Sequence, residues 1–343
     1  MVEHTEQYRQ AEARLWTTLL GALPAEHALE LPNLHTRVRA LVVGQGPTLL
    51  FVHGGPNAAS TWAPLVRLLP DFRCVLLERP GCGLSPLPRN PPRPVRRYAA
   101  QLIGGGLAAL DEQPAAIVAS SFGSYCALTW ALAHPAQAGR MVHLGCPALV
   151  PGQRIPLPML LPIIPGLGAL MRALEPATPV ATWRSFQRMG HAAPTLRRPE
   201  VAALLVWYTT LMRYTPTQAN DQKLFGDVRP GDALTTHELA RLPVPMSFFW
   251  GEADTFGGAH VARALVAHIP NATLEFLVGG GHLPWLDAPE RAAAHIRAFM
   301  EGQAIQAYTC DTPFENTEGP HNAIFPLDTC AAAGAEVGAQ APQ

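Results

Sequence analysis

The sequence predicts an α/β fold: a doubly wound, mostly parallel sheet with an inserted helical cap. Three observations predict it. Over residues 36–146, short apolar runs alternate with helix-like segments, the rhythm of a parallel sheet covered on both faces. That rhythm breaks at Pro147 and resumes at Val244, so the stretch between is an insertion. Third, the apolar run Ala116-Ile117-Val118-Ala119 passes straight into Ser120-Ser121-Phe122-Gly123 and a helical pattern, a strand turning sharply into a helix.

Composition narrows the function classes. With 48% apolar and 15% charged residues among 343, the chain is globular and long enough for one large domain or a core with an insertion. A net charge of -1, from 25 basic and 26 acidic residues, leaves no electrostatic footprint for nucleic acid and no attraction to an anionic membrane. Six cysteines without a C-x-x-C pair point to a reducing compartment rather than a disulfide framework. Met1–Gln10 is polar and lacks the apolar core of a signal peptide, so the expected location is cytoplasmic. The sequence carries no sign of the oligomeric state.

Taken in order, Tyr8, Ala11, Leu15, Leu19 and Leu23 fall at helical spacing with Glu6, Arg9, Glu12 and Arg14 between them. Residues 1–35 are therefore expected to form a helical extension. Thr36–Val43 reads as a strand, Gly44-Gln45-Gly46-Pro47 as its break, and Thr48–Val52 as a buried strand. Two glycines follow in His53-Gly54-Gly55-Pro56, which let the backbone approach a ligand closely at the strand's end. This is either an ordinary tight turn or an oxyanion hole with the Gly55 N–H as donor; the serine turn downstream favours the second. A helix over Trp62–Leu69, a strand over Arg73–Leu77 and a Gly/Pro turn over Glu78–Ser85 come next, then a solvated basic loop to Arg97. Tyr98–Leu110 reads as a helix despite Gly104-Gly105-Gly106; each glycine costs about 1 kcal/mol there, which close helix–sheet contact would offset.

A helix over Phe122–His134 and a strand over Met141–Gly145 complete the first part of the core, residues 36–146. Residues 147–242 lack strand signals and read as a helical cap. Its apolar stretch Ile155–Leu174 is broken by Pro156, Pro158, Pro162 and Pro165, which excludes a membrane-spanning helix. Met159, Leu160, Leu161, Ile163, Ile164, Leu167 and Met171 line either a greasy entrance or, as is more usual, the cap's own core. The core resumes over 243–301: strand Val244–Trp250, helix Ala259–His268, strand Thr273–Val278, the loop Gly279–Trp285 and helix Pro289–Met300. Residues 302–343 hold no Lys or Arg and no trustworthy period, and are expected to be a disordered tail.

The sharp turn into the helix singles out one serine. Such a turn crowds the positions two before and two after its apex, so both must be small. Ser121 has Ala119 and Gly123 there, whereas Ser120 has Val118 and Phe122, and Ser124 has Phe122 and Cys126. A serine hydroxyl needs a base, and His282, on a glycine-rich loop after the last strand, is best placed; His53 is better suited to fixing its own turn. The base needs a carboxylate, for which Asp254 follows the penultimate strand; Glu252 and Asp287 are the alternatives, Glu252 too long and Asp287 suited to capping the last helix.

The order Ser121, Asp254, His282 is that of the α/β-hydrolases. The chain resembles that superfamily through His53-Gly54-Gly55-Pro56, Glu78-Arg79-Pro80-Gly81-Cys82-Gly83-Leu84-Ser85, Ala119-Ser120-Ser121-Phe122-Gly123-Ser124, Gly251-Glu252-Ala253-Asp254 and Gly281-His282-Leu283-Pro284-Trp285, over residues 37 to 300. The resemblance implies the α/β-hydrolase fold and a second oxyanion donor in the Phe122 N–H. Alanine stands at the elbow where glycine is commoner, and serine in place of aspartate argues against the dehalogenase and epoxide-hydrolase branches. The first turn is similar to that of proline iminopeptidases, the others to those of esterases and C–C bond hydrolases. The expected function is a serine hydrolase that cleaves a carboxylic ester of an apolar small-molecule substrate through an acyl-enzyme. The alternatives are a C–C hydrolase or aminopeptidase on the same triad, or a small-molecule receptor. No metal motif and no phosphate-cradling loop is present, and no cofactor is expected. The substrate-binding residues are not legible.

Overall fold

The structure, a computed structural model, describes residues 2–303 except 90, 92, 111, 162, 163, 165, 175 and 176. Residues 304–343, and with them nearly all of the expected tail, lie outside the described residues. An eight-stranded sheet runs through the fold: β1 (Ala25–Leu31), β2 (Thr36–Val43), β3 (Thr48–Val52), β4 (Arg73–Leu77), β5 (Ala116–Ala119), β6 (Arg140–Leu144), β7 (Met246–Gly251) and β8 (Ala272–Leu277). Their spatial order is β1-β2-β4-β3-β5-β6-β7-β8. From β4 to β8 every pairing is parallel, while β1 and β2 add an antiparallel edge.

The central strands β3, β5 and β7 are buried along their whole length, which is why they read as continuous apolar runs. Their side chains still alternate between two cores. Leu49, Phe51, Val118 and Phe249 pack on one face with Trp62, Trp285 and Ile296, and Leu50, Val52, Ile117, Phe248 and Trp250 pack on the other with Tyr98, Leu102 and Tyr125. The helix Val95–Ala108 crosses close to the sheet at its glycines: a Cβ on Gly106 would stand 3.1 Å from Leu77, and one on Gly105 would stand 3.3 Å from Leu31. The close contact expected to offset those glycines is therefore present. Gly104 faces Trp130 of the next helix instead.

The N-terminal extension is not all helix. It holds the helix Val2–Leu20 and then strand β1, which pairs with β2 from Ala25–Val42 to Leu31–Thr36. All of β1 but Leu29 and Leu31 is exposed, so no sustained apolar alternation announced it. Helix Val2–Leu20 is fastened by a buried polar cluster. The Arg39 guanidinium meets the Glu12 carboxylate at 2.6 Å, Tyr8 Oη and Ser60 Oγ donate to Glu12, and Trp16 Nε1 donates to Ser60.

Between β6 and β7 run helices Leu157–Leu160, Leu167–Leu174, Pro179–Arg188, Ala193–Arg197, Pro199–Tyr214, Thr217–Gly226 and Thr236–Leu239, with no strand among the described residues. Phe186, Leu196, Val201, Leu204, Trp207 and Leu211 of this segment are buried in the core that also holds Tyr8 and Trp16, while Leu234, Leu239 and Leu242 join the core on the other face. Leu160 and Ile164 are exposed, and Leu161, Leu167 and Met171 half-buried, so they do not form the segment's core. The Met159 side chain and Ile163 lie outside the described residues. No described helix is long and apolar enough to cross a membrane.

Candidate active site

Ser121 sits at the apex of the turn between β5 and the helix Phe122–Ala133, with φ 52° and ψ -118°. A side chain at positive φ costs about 1–3 kcal/mol, and this one is held by its surroundings. The Ser120 N–H donates to Val52 O at 3.2 Å, while Ser121 O accepts the Tyr125 N–H at 3.1 Å and the Ala148 N–H at 3.0 Å. A Cβ on Gly123 would overlap the carbonyl oxygen of Val52, which is the steric reason that the position two after the apex must be glycine.

The turn after β3 packs against this serine. A Cβ on Gly54 would stand 2.8 Å from Ser121 Cβ. His53, fully buried, holds the turn: its Nε2 accepts the Arg79 N–H at 3.0 Å, so the proton lies on Nδ1, which donates to Gly54 O at 2.7 Å. Burial and the nearby Arg79 push the His53 imidazole well below its ordinary pKa, in keeping with the neutral form this arrangement requires. Two amides at the serine, Gly55 N–H and Phe122 N–H, have no hydrogen-bond acceptor among the described residues. Phe122 is buried and Gly55 half-buried, and an amide N–H without an acceptor is suited to receive an anion.

His282 and Asp254 meet at 2.8 Å between Nδ1 and Oδ2, both almost wholly buried. The same carboxylate accepts the Cys146 N–H on Oδ2 and the Phe256 N–H on Oδ1, each at 2.9 Å. Engaged by backbone donors on both oxygens, it acts as acceptor, which sets the imidazole proton on Nδ1 and leaves the Nε2 lone pair free. The Phe256 ring lies 4.2 Å from the imidazole, centroid to centroid. Among the described residues, Nε2 has no hydrogen bond to Ser121 Oγ; such bonds often tighten only once substrate is bound. Of the three carboxylates weighed from the sequence, Asp254 meets the histidine. Glu252 is half-buried beside it. Asp287 does not cap the last helix; its Oδ2 accepts the Gly281 N–H and pairs with His191 Nδ1.

Residues 145–148 are functional residues to which the sequence assigned no role. They knit the site together. A Cβ on Gly145, at φ 78°, would overlap the carbonyl oxygen of His282; the Cys146 N–H binds Asp254, and the Ala148 N–H binds Ser121. A glycine directly after an apolar strand was the available signal.

The segment between β6 and β7 closes over the turn after β3. Tyr208 Oη donates to Pro56 O at 2.9 Å, and a Cβ on Gly55 would run into the Asp221 carboxylate and stand 2.8 Å from the Phe225 ring. The Phe225 and Phe122 rings meet edge to face at 5.2 Å. A separate surface groove of about 700 Å³, lined in part by Arg96, Gln101, His134 and Glu238, shares no residue with this set.

Comparison with known proteins agrees with the architecture. A family model described as the alpha/beta hydrolase fold matches residues 47–289. A 2-hydroxy-6-oxononadienedioate/2-hydroxy-6-oxononatrienedioate hydrolase of Paraburkholderia xenovorans is 27% identical over 252 residues, 70% of this chain and 82% of that protein. A cis-3-alkyl-4-alkyloxetan-2-one decarboxylase of Shewanella oneidensis is 27% identical over 296 residues, 80% of this chain and 89% of the relative. A solved carboxylesterase of Bacillus subtilis superposes with a TM-score of 0.66 at 16% identity, over 88% of this chain and 99% of its own.

Proposed function

The chain belongs to the alpha/beta hydrolase fold family, and on that footing we propose that it is a serine hydrolase of carboxylic esters, with Ser121, His282 and Asp254 as its triad. The reading is supported by the strained backbone of Ser121, by the Gly54–Gly55 turn packed against it, by the acceptor-free amides of Gly55 and Phe122, and by an imidazole oriented by a carboxylate at His282.

In this mechanism Ser121 Oγ attacks the ester carbonyl while His282 Nε2 takes its proton. Asp254 holds the imidazole in the tautomer that leaves Nε2 free and stabilises the imidazolium. The carbonyl oxygen becomes an oxyanion bound by the Gly55 and Phe122 amides. The imidazolium then protonates the leaving alcohol, giving an acyl-Ser121. Water, deprotonated by the same nitrogen, releases the acid. The helical segment 147–242 acts as the cap over this site.

A second reading, hydrolysis of a carbon–carbon bond by the same residues, is favoured by the Paraburkholderia relative. That relative is named for a dioate with hydroxy and oxo groups and no ester or amide bond. A doubly charged substrate would need a free cation near Ser121. Arg79, the buried guanidinium beside the Gly54–Gly55 turn, is already neutralised by Asp221. The ester of an uncharged substrate therefore fits better.

Turnover of a p-nitrophenyl ester series, beside one ring-cleavage dienone and one prolyl anilide, tests the assignment together with fluorophosphonate labelling. Esters should be turned over fastest, and Ser121→Ala should abolish labelling. Equal labelling of parent and Ser121→Ala would overturn the choice of nucleophile, and exclusive turnover of the dienone would overturn the ester reading.

A further inference from the structure

Arg79 and Asp221 come from elements 142 residues apart and meet at 2.6 Å with side chains 0% and 3% exposed. The contact is part of a fitted surface. From helix Thr217–Gly226, Thr217 Oγ1 accepts the Gly83 N–H at 2.8 Å, Asn220 Nδ2 donates to Gly81 O at 2.8 Å, and Asp221 Oδ1 accepts from Cys82 Sγ at 3.7 Å. Positions 217, 220 and 221 share one helix face, so the whole face is registered on the loop after β4. Burial pushes the Asp221 carboxyl up in pKa, against the pull of Arg79.

The same Arg79 Nη2 that binds Asp221 also donates to Gly54 O at 3.0 Å. That oxygen belongs to the planar peptide unit whose other end is the Gly55 N–H. The unit is trans, so its carbonyl and N–H point in opposite directions, and fixing one fixes the other. Neither residue has a side chain to hold the plane. Its orientation rests on the two donors to Gly54 O, His53 Nδ1 and Arg79 Nη2. The guanidinium also lies 5.2 Å over the ring of Phe122, whose amide is the other unpartnered donor.

We propose that Asp221, acting through Arg79, is a positioning residue that aligns the Gly55 N–H as oxyanion donor, so that seating helix Thr217–Gly226 completes the oxyanion hole. This rests on the serine-hydrolase reading above. It also gives that reading a link between the helical segment and the chemistry: the donor is aligned only while the helix face is docked. The hydrogen bond to Gly54 O places the effect on the transition state rather than on substrate binding, because the oxyanion exists only there.

The test is Asp221→Asn in the full chain, with ester kinetics normalised to fluorophosphonate-titrated sites. A misaligned donor should lower kcat by about 10²-fold with KM within twofold. Affinity for a trifluoromethyl ketone, which mimics the oxyanion, should fall by the same factor, and Asp221→Glu should restore part of both. Loss of titrated sites, with kcat per site and ketone affinity unchanged, would show a purely structural pair and overturn the proposal. If Asp221→Asn does not fold, Arg79→Lys carries the same expectation, since it keeps a positive charge for Asp221 while its shorter side chain stops short of the Nη2 position that reaches Gly54 O. A parent that neither labels at Ser121 nor turns over ester overturns the underlying reading; a parent that does both, beside a variant with normal kcat, overturns only the positioning role.

Discussion

His191 Nδ1 lies 2.8 Å from Asp287 Oδ2, and between them the two residues grip the loop that carries His282. Three consecutive amides of that loop are taken: Gly281 N–H by Asp287 Oδ2 at 2.9 Å, His282 N–H by Met189 O at 2.9 Å, and Leu283 N–H by His191 Nε2 at 3.4 Å. A glycine-rich loop has little stiffness of its own, so these bonds fix where the imidazole stands. Asp287→Ala and His191→Ala should each lower kcat about 10²-fold, the order expected for misplacement by about an ångström. KM should change little. Stopped-flow or steady-state ester kinetics with titrated sites checks this; unchanged kcat in both variants would mean that the loop keeps its place without the pair.

Asp254→Asn separates orientation from architecture. An asparagine amide presents one acceptor and one donor, yet Asp254 faces backbone N–H groups on both oxygens, from Cys146 and Phe256, as well as the imidazole. Whichever way the amide turns, an N–H faces an N–H, which costs about 1–3 kcal/mol and should show as a lower melting temperature. The imidazole also loses the partner that sets its tautomer. A fall in kcat of about 10⁴-fold is expected, the order seen when a triad carboxylate is replaced by its amide. A variant within tenfold of the parent would remove Asp254 from the triad.

What could be read in the sequence, and what could not, divides along a physical line. The strands Thr48–Val52 and Arg73–Leu77 stand at their expected bounds because buried strands of a parallel sheet are written as apolar runs, and the antiparallel Thr36–Val43 does so because it opens with alternation before turning apolar. Ser121 was distinguishable from Ser120 and Ser124 because steric crowding at a sharp turn is local, and Gly123 against Val52 O is that crowding. Strand β1 was invisible because its side chains are mostly exposed, and the side chains that meet β2, Glu26 with Arg39 and Glu30 with Arg37, are charged rather than apolar. The partners of Arg79, Asp287 and His282 are set by Asp221, His191 and Met189, which the chain brings in from the helical segment. No spacing rule reaches across such separations, and Asp287 was misread as a helix cap for that reason.

The crowding at the elbow predicts an asymmetric response to adding or removing one carbon. Gly123→Ala places a Cβ on a backbone oxygen of β3 that cannot move without breaking the sheet. It should destabilise the fold by about 3 kcal/mol or more, measured as a fall in the urea midpoint or as loss of soluble protein. Ala119→Gly only removes a methyl group at the end of β5 and should cost about 1 kcal/mol or somewhat more, with labelling at Ser121 retained. Equal effects at the two positions would refute the steric account of the turn.

The buried carboxyl of Glu78 predicts a pH-dependent stability of uncommon sign. Burial pushes its pKa from 4.5 to about 7; Arg39 opposes the rise and Glu12 adds to it. Its Oε2 accepts the Leu84 and Ser85 amides and the Ser85 hydroxyl, while Oε1 lies 3.5 Å from the Arg39 guanidinium. Between pH 4.5 and about 7 the folded chain holds this proton more tightly than the unfolded chain does. Stability from this group is therefore fully present below pH 4.5 and is lost as pH rises toward 7, by about 3 kcal/mol in total. Other carboxyls work the opposite way: Glu275 and Glu238, both lowered in pKa against the cost of burial, favour the fold as pH rises. The parent's own pH profile mixes these contributions, whereas the difference between Glu78→Gln and the parent isolates Glu78. Urea unfolding at pH 5 and pH 8 should show Glu78→Gln gaining about 2.5 kcal/mol on the parent over that span. A difference independent of pH would mean that Arg39 keeps Glu78 ionised throughout.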